Sequence, residues 1–177
     1  MNAELGRLLA FLKTRTAPDE LGTAEQLKRW LVANDLLGGD ESLAETDWRR
    51  VKRLRAALVS LVSDPDHADE RTCATIADAT KVAPLQVVVG GGGELQLAAA
   101  GEGVDKAMAR LVVAAHHAVL TGEFERFKAC KACGWTFFDA TRNHSRIWCD
   151  MAACGNPIKS KHYRERKAAD REQGTLR

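Results

Sequence analysis

The chain has 177 residues, 45% hydrophobic and 28% charged, which is enough apolar material for a real core and excludes wholesale disorder. It contains no run of about 18 apolar residues, which excludes a transmembrane helix, and its first segment has an early Glu4 and no small-residue cleavage site, a poor signal peptide. The net charge of +2 hides an asymmetry: residues 126–177 hold 12 Lys and Arg against 5 Asp and Glu (+7), whereas residues 1–125 hold 14 against 19 (−5). A cationic end on an acidic body points to a polyanionic partner for that end. The expected location is the cytoplasm, where clustered cysteines favour metal over disulfide.

In chain order, Leu5, Leu8, Leu9 and Leu12 recur at helical spacing and predict an amphipathic helix over residues 4–15. Ala17-Pro18-Asp19 breaks it, because proline lacks a backbone donor and restricts the residue before it. Thr23 is placed to cap a helix reaching Asn34, with Gln26 completing a capping box and Leu27, Trp30 and Leu31 on the apolar face. Beyond Gly38-Gly39, Thr46 or Asp47 is placed to cap a helix whose Val51, Leu54, Leu58, Leu61 and Val62 form a buried stripe. Arg49, Arg50, Lys52, Arg53 and Arg55 are assigned to its opposite side, as a solvated surface rather than a phosphate-binding face.

After Asp64-Pro65-Asp66, residues 68–82 predict a further helix with Cys73 packed inside. Alternating Leu85, Val87 and Val89, four glycines at 90–93, then Leu95 and Leu97 predict a β-hairpin near residues 85–98. The glycine run is no phosphate loop, since no Lys-Ser/Thr pair follows it. Residues 104–120 return to helix, with Met108, Leu111, Val112, Ala115 and Val119 inward. His116 and His117 point about 100° apart on that helix, so they are assigned to the surface and not to one metal.

Four of the five cysteines follow in two close pairs: Cys130 and Cys133 enclose two residues, Cys149 and Cys154 enclose four. Zinc takes thiolates in a tetrahedron, and two such pairs saturate it without water, so one structural Zn2+ is expected. His144 and His162 are the substitute ligands, but four thiolates already close the site. Gly134 permits the tight turn after the first pair. Residues 135–138 and 146–148 predict the strands of a hairpin around a turn at 139–143. So small a module cannot bury enough surface alone, and zinc would provide much of its folding free energy. Asn156-Pro157 then predicts a helix start, Asn as cap and Pro at the first position. The helix, to about residue 169, carries Lys159, Lys161, His162, Tyr163, Arg164, Arg166 and Lys167, with little apolar material beyond Ile158. A cationic helix braced against a zinc site suits a DNA groove.

The phrase C-x2-C-G-W-x-F-F-D-x-T-R-N-x-x-R-x-W-C-x-M-x-x-C-G-N-x-x-K closely resembles the CGNR zinc-finger family over residues 130–163. Members of that family look like bacterial transcription regulators with an N-terminal ABATE-type, stress-induced regulator domain. Over residues 1–125 the resemblance rests on Phe11-Leu12-Lys13-Thr14-Arg15, the helix at 26–37, the stripe at 54–58 and the hairpin order. The chain departs at Pro157, where the family signature has Arg, and at Lys13, where the family shows Asn before Thr.

The resemblance implies zinc on Cys130, Cys133, Cys149 and Cys154. It implies nucleic-acid contacts from Arg142, Asn143 and Arg146 beside the helix residues, among which Lys159, Lys161, Arg164 and Arg166 are the candidates. Asp139 is expected to orient Arg142 or Arg146, or to cap the turn; Trp135 and Trp148 are assigned to a mini-core. The expected architecture is a mainly α body with one β-hairpin (α+β) over residues 1–125, then a treble-clef-like four-cysteine zinc module, hairpin plus helix, over 126–177. DNA-binding transcriptional regulation is the expected function. By the resemblance, the body senses a small-molecule effector or mediates homodimers. RNA binding and a zinc-stabilised protein-interaction module are the alternatives. No catalytic constellation stands clear of structural roles, so an enzyme is not expected, nor is a membrane partner.

Overall fold

Leucines at helical spacing set the first packing surface: in α1 (Ala3–Lys13), Leu5, Leu8 and Leu12 are at most 1% exposed. The computed structural model describes residues 3–174, with side chains to residue 167. The body continues through α2 (Ala24–Ala33), α3 (Glu45–Ser63), α4 (Glu70–Lys81), β1 (Leu85–Val89), β2 (Leu95–Ala99) and α5 (Gly103–Leu120). Then come β3 (Phe127–Ala129), β4 (Thr136–Phe138), a π-helical turn (Met151–Gly155) and α6 (Asn156–Gly174). Each sheet is an antiparallel hairpin, β1 with β2 and β3 with β4. No described helix is long and apolar enough to cross a membrane.

One core joins α1, α2, α3 and α5, with Leu21, Leu36 and Leu37 from the loops. Each leucine buried there contributes about 1.5–3 kcal/mol from surface removed from water. α2 is started by the capping box: Thr23 Oγ1 accepts from the Gln26 amide at 3.2 Å, and Gln26 Oε1 accepts from the Thr23 amide at 3.0 Å. Phe127 of β3 is buried in the same core and Phe138 of β4 packs against it, their rings edge-on at 5.3 Å. The second hairpin therefore grows directly out of the body.

Several expectations are corrected. α3 begins at Glu45, so neither Thr46 nor Asp47 is its cap; Asp47 sits at the third helical position and accepts from the Ala44 amide at 3.1 Å. Leu61 is only half-buried. Arg55 is not on the solvated side of α3 but 3% exposed, because it lies four residues after Val51 and three before Leu58, on the stripe itself. Cys73 is exposed: α4 turns Thr72 and Ala79 inward, and the next position after Thr72 faces out. On α5 the inward face is mostly alanine (Ala107, Ala114, Ala115, Ala118), which allows close helix approach and leaves Val112 half-buried and Val119 56% exposed.

The β1–β2 hairpin forms with Val87 opposite Leu97 and Val89 opposite Leu95. Its turn uses Gly93 at φ +84°, a conformation that disfavours a side chain. Only its base is buried, where Leu85 and Ala99 meet Ala83 and Ala109.

Candidate metal centre and cationic helix

The Cys130–Cys133 pair is the tip of the β3–β4 hairpin. Phe127 pairs with Phe138 and Ala129 with Thr136, and the Cys130 amide donates to the Trp135 carbonyl at 2.9 Å. Gly134, at φ +72°, closes the turn by donating to the Cys130 carbonyl at 2.8 Å. The expected partner strand at 146–148 is therefore corrected: β4 pairs backward with 127–129, and residues 146–148 are irregular. They reach the first pair through the Lys131 amide, which donates to the Ile147 carbonyl at 3.0 Å.

Asp139 holds that returning segment. Fully buried, its Oδ1 accepts from the Thr141 amide (3.0 Å) and hydroxyl (2.6 Å), and its Oδ2 accepts from the Arg146 amide (2.8 Å) and Lys128 Nζ (3.0 Å). Of its expected roles, capping the turn is the one observed. Burial pushes this carboxyl up, but the Thr141, Lys128 and Arg146 donors outweigh it and hold its pKa well below the usual carboxylate range. Lys128 Nζ also donates to the His144 and Arg146 carbonyls. No sequence pattern marks Lys128, because the three-residue strand that places it is too short to show alternation.

The second pair is set by a cap. Asp150 Oδ1 accepts from the Ala153 amide at 2.6 Å, starting the π-helical turn that carries Cys154 into α6. Asp150, not Asn156, thus starts the helical run, and Pro157 lies in the first turn of α6. Gly155 is demanded by packing: a β-carbon there would lie 2.9 Å from Trp148 Cδ1 and 2.7 Å from Met151 Sδ. Trp148 is half-buried beside Gly155. Trp135, also half-buried, turns instead to the body, where its indole N–H donates to the Lys13 carbonyl at 3.1 Å.

The four sulfurs of Cys130, Cys133, Cys149 and Cys154 lie within 4.8 Å of one another. Cys133 and Cys149 are 3.7 Å apart, Cys149 and Cys154 3.6 Å. A zinc–sulfur bond of about 2.3 Å in a tetrahedron separates sulfurs by about 3.8 Å, whereas a disulfide needs about 2.05 Å. The spacing fits zinc.

Charge makes the same point. Burial raises the Cys130 thiol, but the amides of Cys149, Cys133 and Ala132 aimed at its sulfur prevail and lower its pKa to about 6. Cys149 is pushed up to about 12 by burial and by the neighbouring thiols. Cys154, although helped by a hydrogen bond from Cys149, is also raised overall by burial and the other sulfurs. One thiolate thus opposes the next until a cation sits among them. Neither His144 nor His162 belongs to the cluster.

Arg142 and Asn143 are exposed on the loop after Asp139, and Lys159, Lys161, Arg164 and Arg166 are exposed along α6. Arg146 is exposed but engaged: its guanidinium donates to the Trp148 carbonyl at 3.2 Å and to that of Cys149, and lies 5.1 Å from the Phe137 ring centre.

Residues 6–123 match the family model ABATE, described as "Putative stress-induced transcription regulator", and residues 126–167 match that of the CGNR zinc finger. No curated protein matches the chain. Both matches are of regulator and zinc-finger types, not enzyme families, and the four cysteines fit one structural zinc ion. The ABATE match covers most of the chain and the finger match lies C-terminal to it, so the chain belongs to the ABATE family and carries a CGNR zinc finger.

Proposed function

We propose that this protein is a transcription regulator that binds duplex DNA through α6, with residues 126–177 as the DNA-binding unit and residues 1–125 as the part that responds to stress or to a ligand. One observation carries the reading: Lys159, Lys161, Arg164, Arg166 and Lys167 are all exposed on a helix whose main packing, among the described residues, is the π-helical turn before it. The described side chains of α6 bury little of themselves, so its cations are available for phosphates.

A zinc closed by four thiolates has no open position for a reactant, so its role here is to set the angle at which α6 leaves the finger. Arg142 and Asn143 are of the side-chain types that read guanine and adenine edges by paired hydrogen bonds. Arg146, spent on two carbonyls, positions the second cysteine pair. Trp135 and Trp148 are half-buried in structural contacts, which favours duplex DNA over stacking on single-stranded bases.

Selection of bound sequences by the zinc-loaded full chain from mixed DNA and RNA pools tests the reading. Enrichment of a duplex DNA sequence is expected. Enrichment of single-stranded RNA would replace it, and weak, salt-insensitive binding to both pools would point to a protein-interaction module.

A further inference from the structure

The five basic side chains of α3 have different fates. Arg49 pairs with Glu45 at 3.4 Å, Arg50 with Asp47 and Asp105, Lys52 with Asp19, and Arg55 with Asp19. Among the described residues Arg53 alone of the five has no ion pair. On α4, Lys81 pairs with Asp78 at 2.7 Å, whereas Arg71 makes no ion pair among the described residues and meets the charge of Asp69 only at longer range. Arg53 and Arg71 line one cleft of about 430 Å³, together with Arg50 and Lys81. Its apolar lining is Met108 of α5, 4% exposed, and Val82, which follows α4 and is 53% exposed.

This is an unusual place for cations. Residues 1–125 carry a net charge of −5, yet four Lys and Arg line this cleft against Asp78 as the one carboxylate in its lining. Like charges on adjacent helices repel; Asp78 and Asp69 offset Arg53 and Arg71 only at longer range, without an ion pair, so both guanidiniums keep N–H donors open to an acceptor. Beside them Val82 is left in water at a cost that only an apolar contact removes. A bare inorganic anion would satisfy the arginines and ignore Val82 and Met108. The volume lies within the range of small-molecule pockets.

We propose that the α3–α4–α5 cleft is a binding site for a small amphipathic anion: an acidic group, phosphate, sulfonate or carboxylate, held by Arg53 and Arg71, with an apolar body over Val82 and Met108. The inference stands apart from the DNA reading, since none of these residues lies in the finger or in α6.

The test uses the zinc-loaded full chain and 1-anilinonaphthalene-8-sulfonate, which joins one sulfonate to an apolar ring system and fluoresces when removed from water. Saturable binding at one site per chain is expected. The exposed pair Arg53→Gln/Arg71→Gln should weaken it by about tenfold or more. Val82→Ser should weaken it several-fold, and Lys28→Gln/Arg29→Gln on α2 should leave it unchanged. Inorganic phosphate should compete only at far higher concentration. Equal affinity in the Arg53/Arg71 variant would overturn the proposal and place the dye elsewhere, for instance on exposed Val87, Val89 and Leu95. Absence of saturable binding, or equal loss in the α2 variant, would also overturn it.

Discussion

The indole N–H of Trp135 donates to the backbone carbonyl of Lys13 at 3.1 Å, and the Lys13 ammonium lies 4.9 Å from the centre of the same ring. Lys13 ends α1, where carbonyls lack an intrahelical partner. One finger residue thus satisfies the end of the first body helix, across 122 residues of sequence. Lys13 stands where the resemblance leads one to expect Asn, and its ammonium over the indole is a contact that Asn cannot make.

Trp135→Phe keeps a ring and removes the donor, so a loss of about 0.5–1.5 kcal/mol is expected, seen as a melting temperature lower by a few degrees. Trp135→Ala should cost more, because the cation–ring contact goes too. Thermal unfolding of the zinc-loaded chain measures both; two unchanged melting temperatures would show that the joint contributes nothing.

A second joint lies within the body. Arg55 donates to Asp19 Oδ1 at 2.9 Å and Oδ2 at 2.6 Å and to Thr14 Oγ1 at 2.8 Å, tying α3 to the loop after α1. Asp19→Ala leaves a guanidinium 3% exposed without its carboxylate, for an expected loss of about 3–5 kcal/mol. Arg55→Met leaves Asp19 with Lys52 and some water, so its loss should be smaller, about 2–3 kcal/mol. The double variant should lose less than the sum, as urea denaturation would show.

The sequence carried the helices and the metal for one reason: periodic leucines, a Thr-x-x-Gln box and paired cysteines act over a few residues. Thr23 and Gln26 could be read as a cap because both halves lie within one turn. Arg55 falls on the buried stripe by its spacing, but nothing nearby in sequence shows that a charge is tolerated there: the carboxylate that pairs with it, Asp19, is 36 residues away. The finger hairpin departs from expectation for a similar reason. Both 127–129 and 146–148 flank β4 in sequence, and Asp139 decides between them by binding the Arg146 amide and holding the later segment in a turn. Trp135 resembled a mini-core residue because its partner Lys13 belongs to the other end of the chain.

Acid should weaken the body through Asp19. Burial raises its pKa, but hydrogen bonds from Arg55, the Leu21 amide and Lys52 outweigh that and hold it well below the usual carboxylate range. A carboxyl lowered on folding stabilises fully above its unfolded value, about 4, and loses that contribution as pH falls toward the folded value. Urea denaturation from pH 7 to pH 3 should therefore show falling stability below about pH 4. Asp19→Asn should be less stable at pH 7 and fall less steeply; an equal slope would remove Asp19 from the account.

Metal analysis under reducing conditions should find one zinc per chain, and none would sink the assignment. Chelation should loosen the finger and leave α1 to α5 folded, because the main core contains none of the four cysteines. Far-UV circular dichroism should keep most of its helical signal, while tryptophan emission shifts to the red as Trp135 and Trp148 lose their contacts. Zinc reloading should release protons, since Cys149 (about 12 without metal) must ionise to bind. Affinity for zinc should accordingly fall as pH falls.

The DNA reading turns on Lys159 and Arg164, both exposed on α6. Among the described residues the Arg164 guanidinium engages only its Nε, which donates to the Ser160 carbonyl at 3.2 Å. Each cation on a phosphate adds about 0.9 to the slope of log affinity against log salt. Lys159→Ala/Arg164→Ala should weaken binding to the selected duplex and flatten that slope by about 2 if both sit on phosphates. Neither substitution removes a buried group, so stability and zinc content should stay the same. Separate losses can be told apart by sequence dependence: a phosphate contact weakens all duplexes alike, whereas a base contact weakens the selected sequence most. Applied to Arg142→Ala and Asn143→Ala, the same comparison decides whether the loop after Asp139 reads bases. Binding and slope unchanged in the Lys159/Arg164 variant would move the interface off α6.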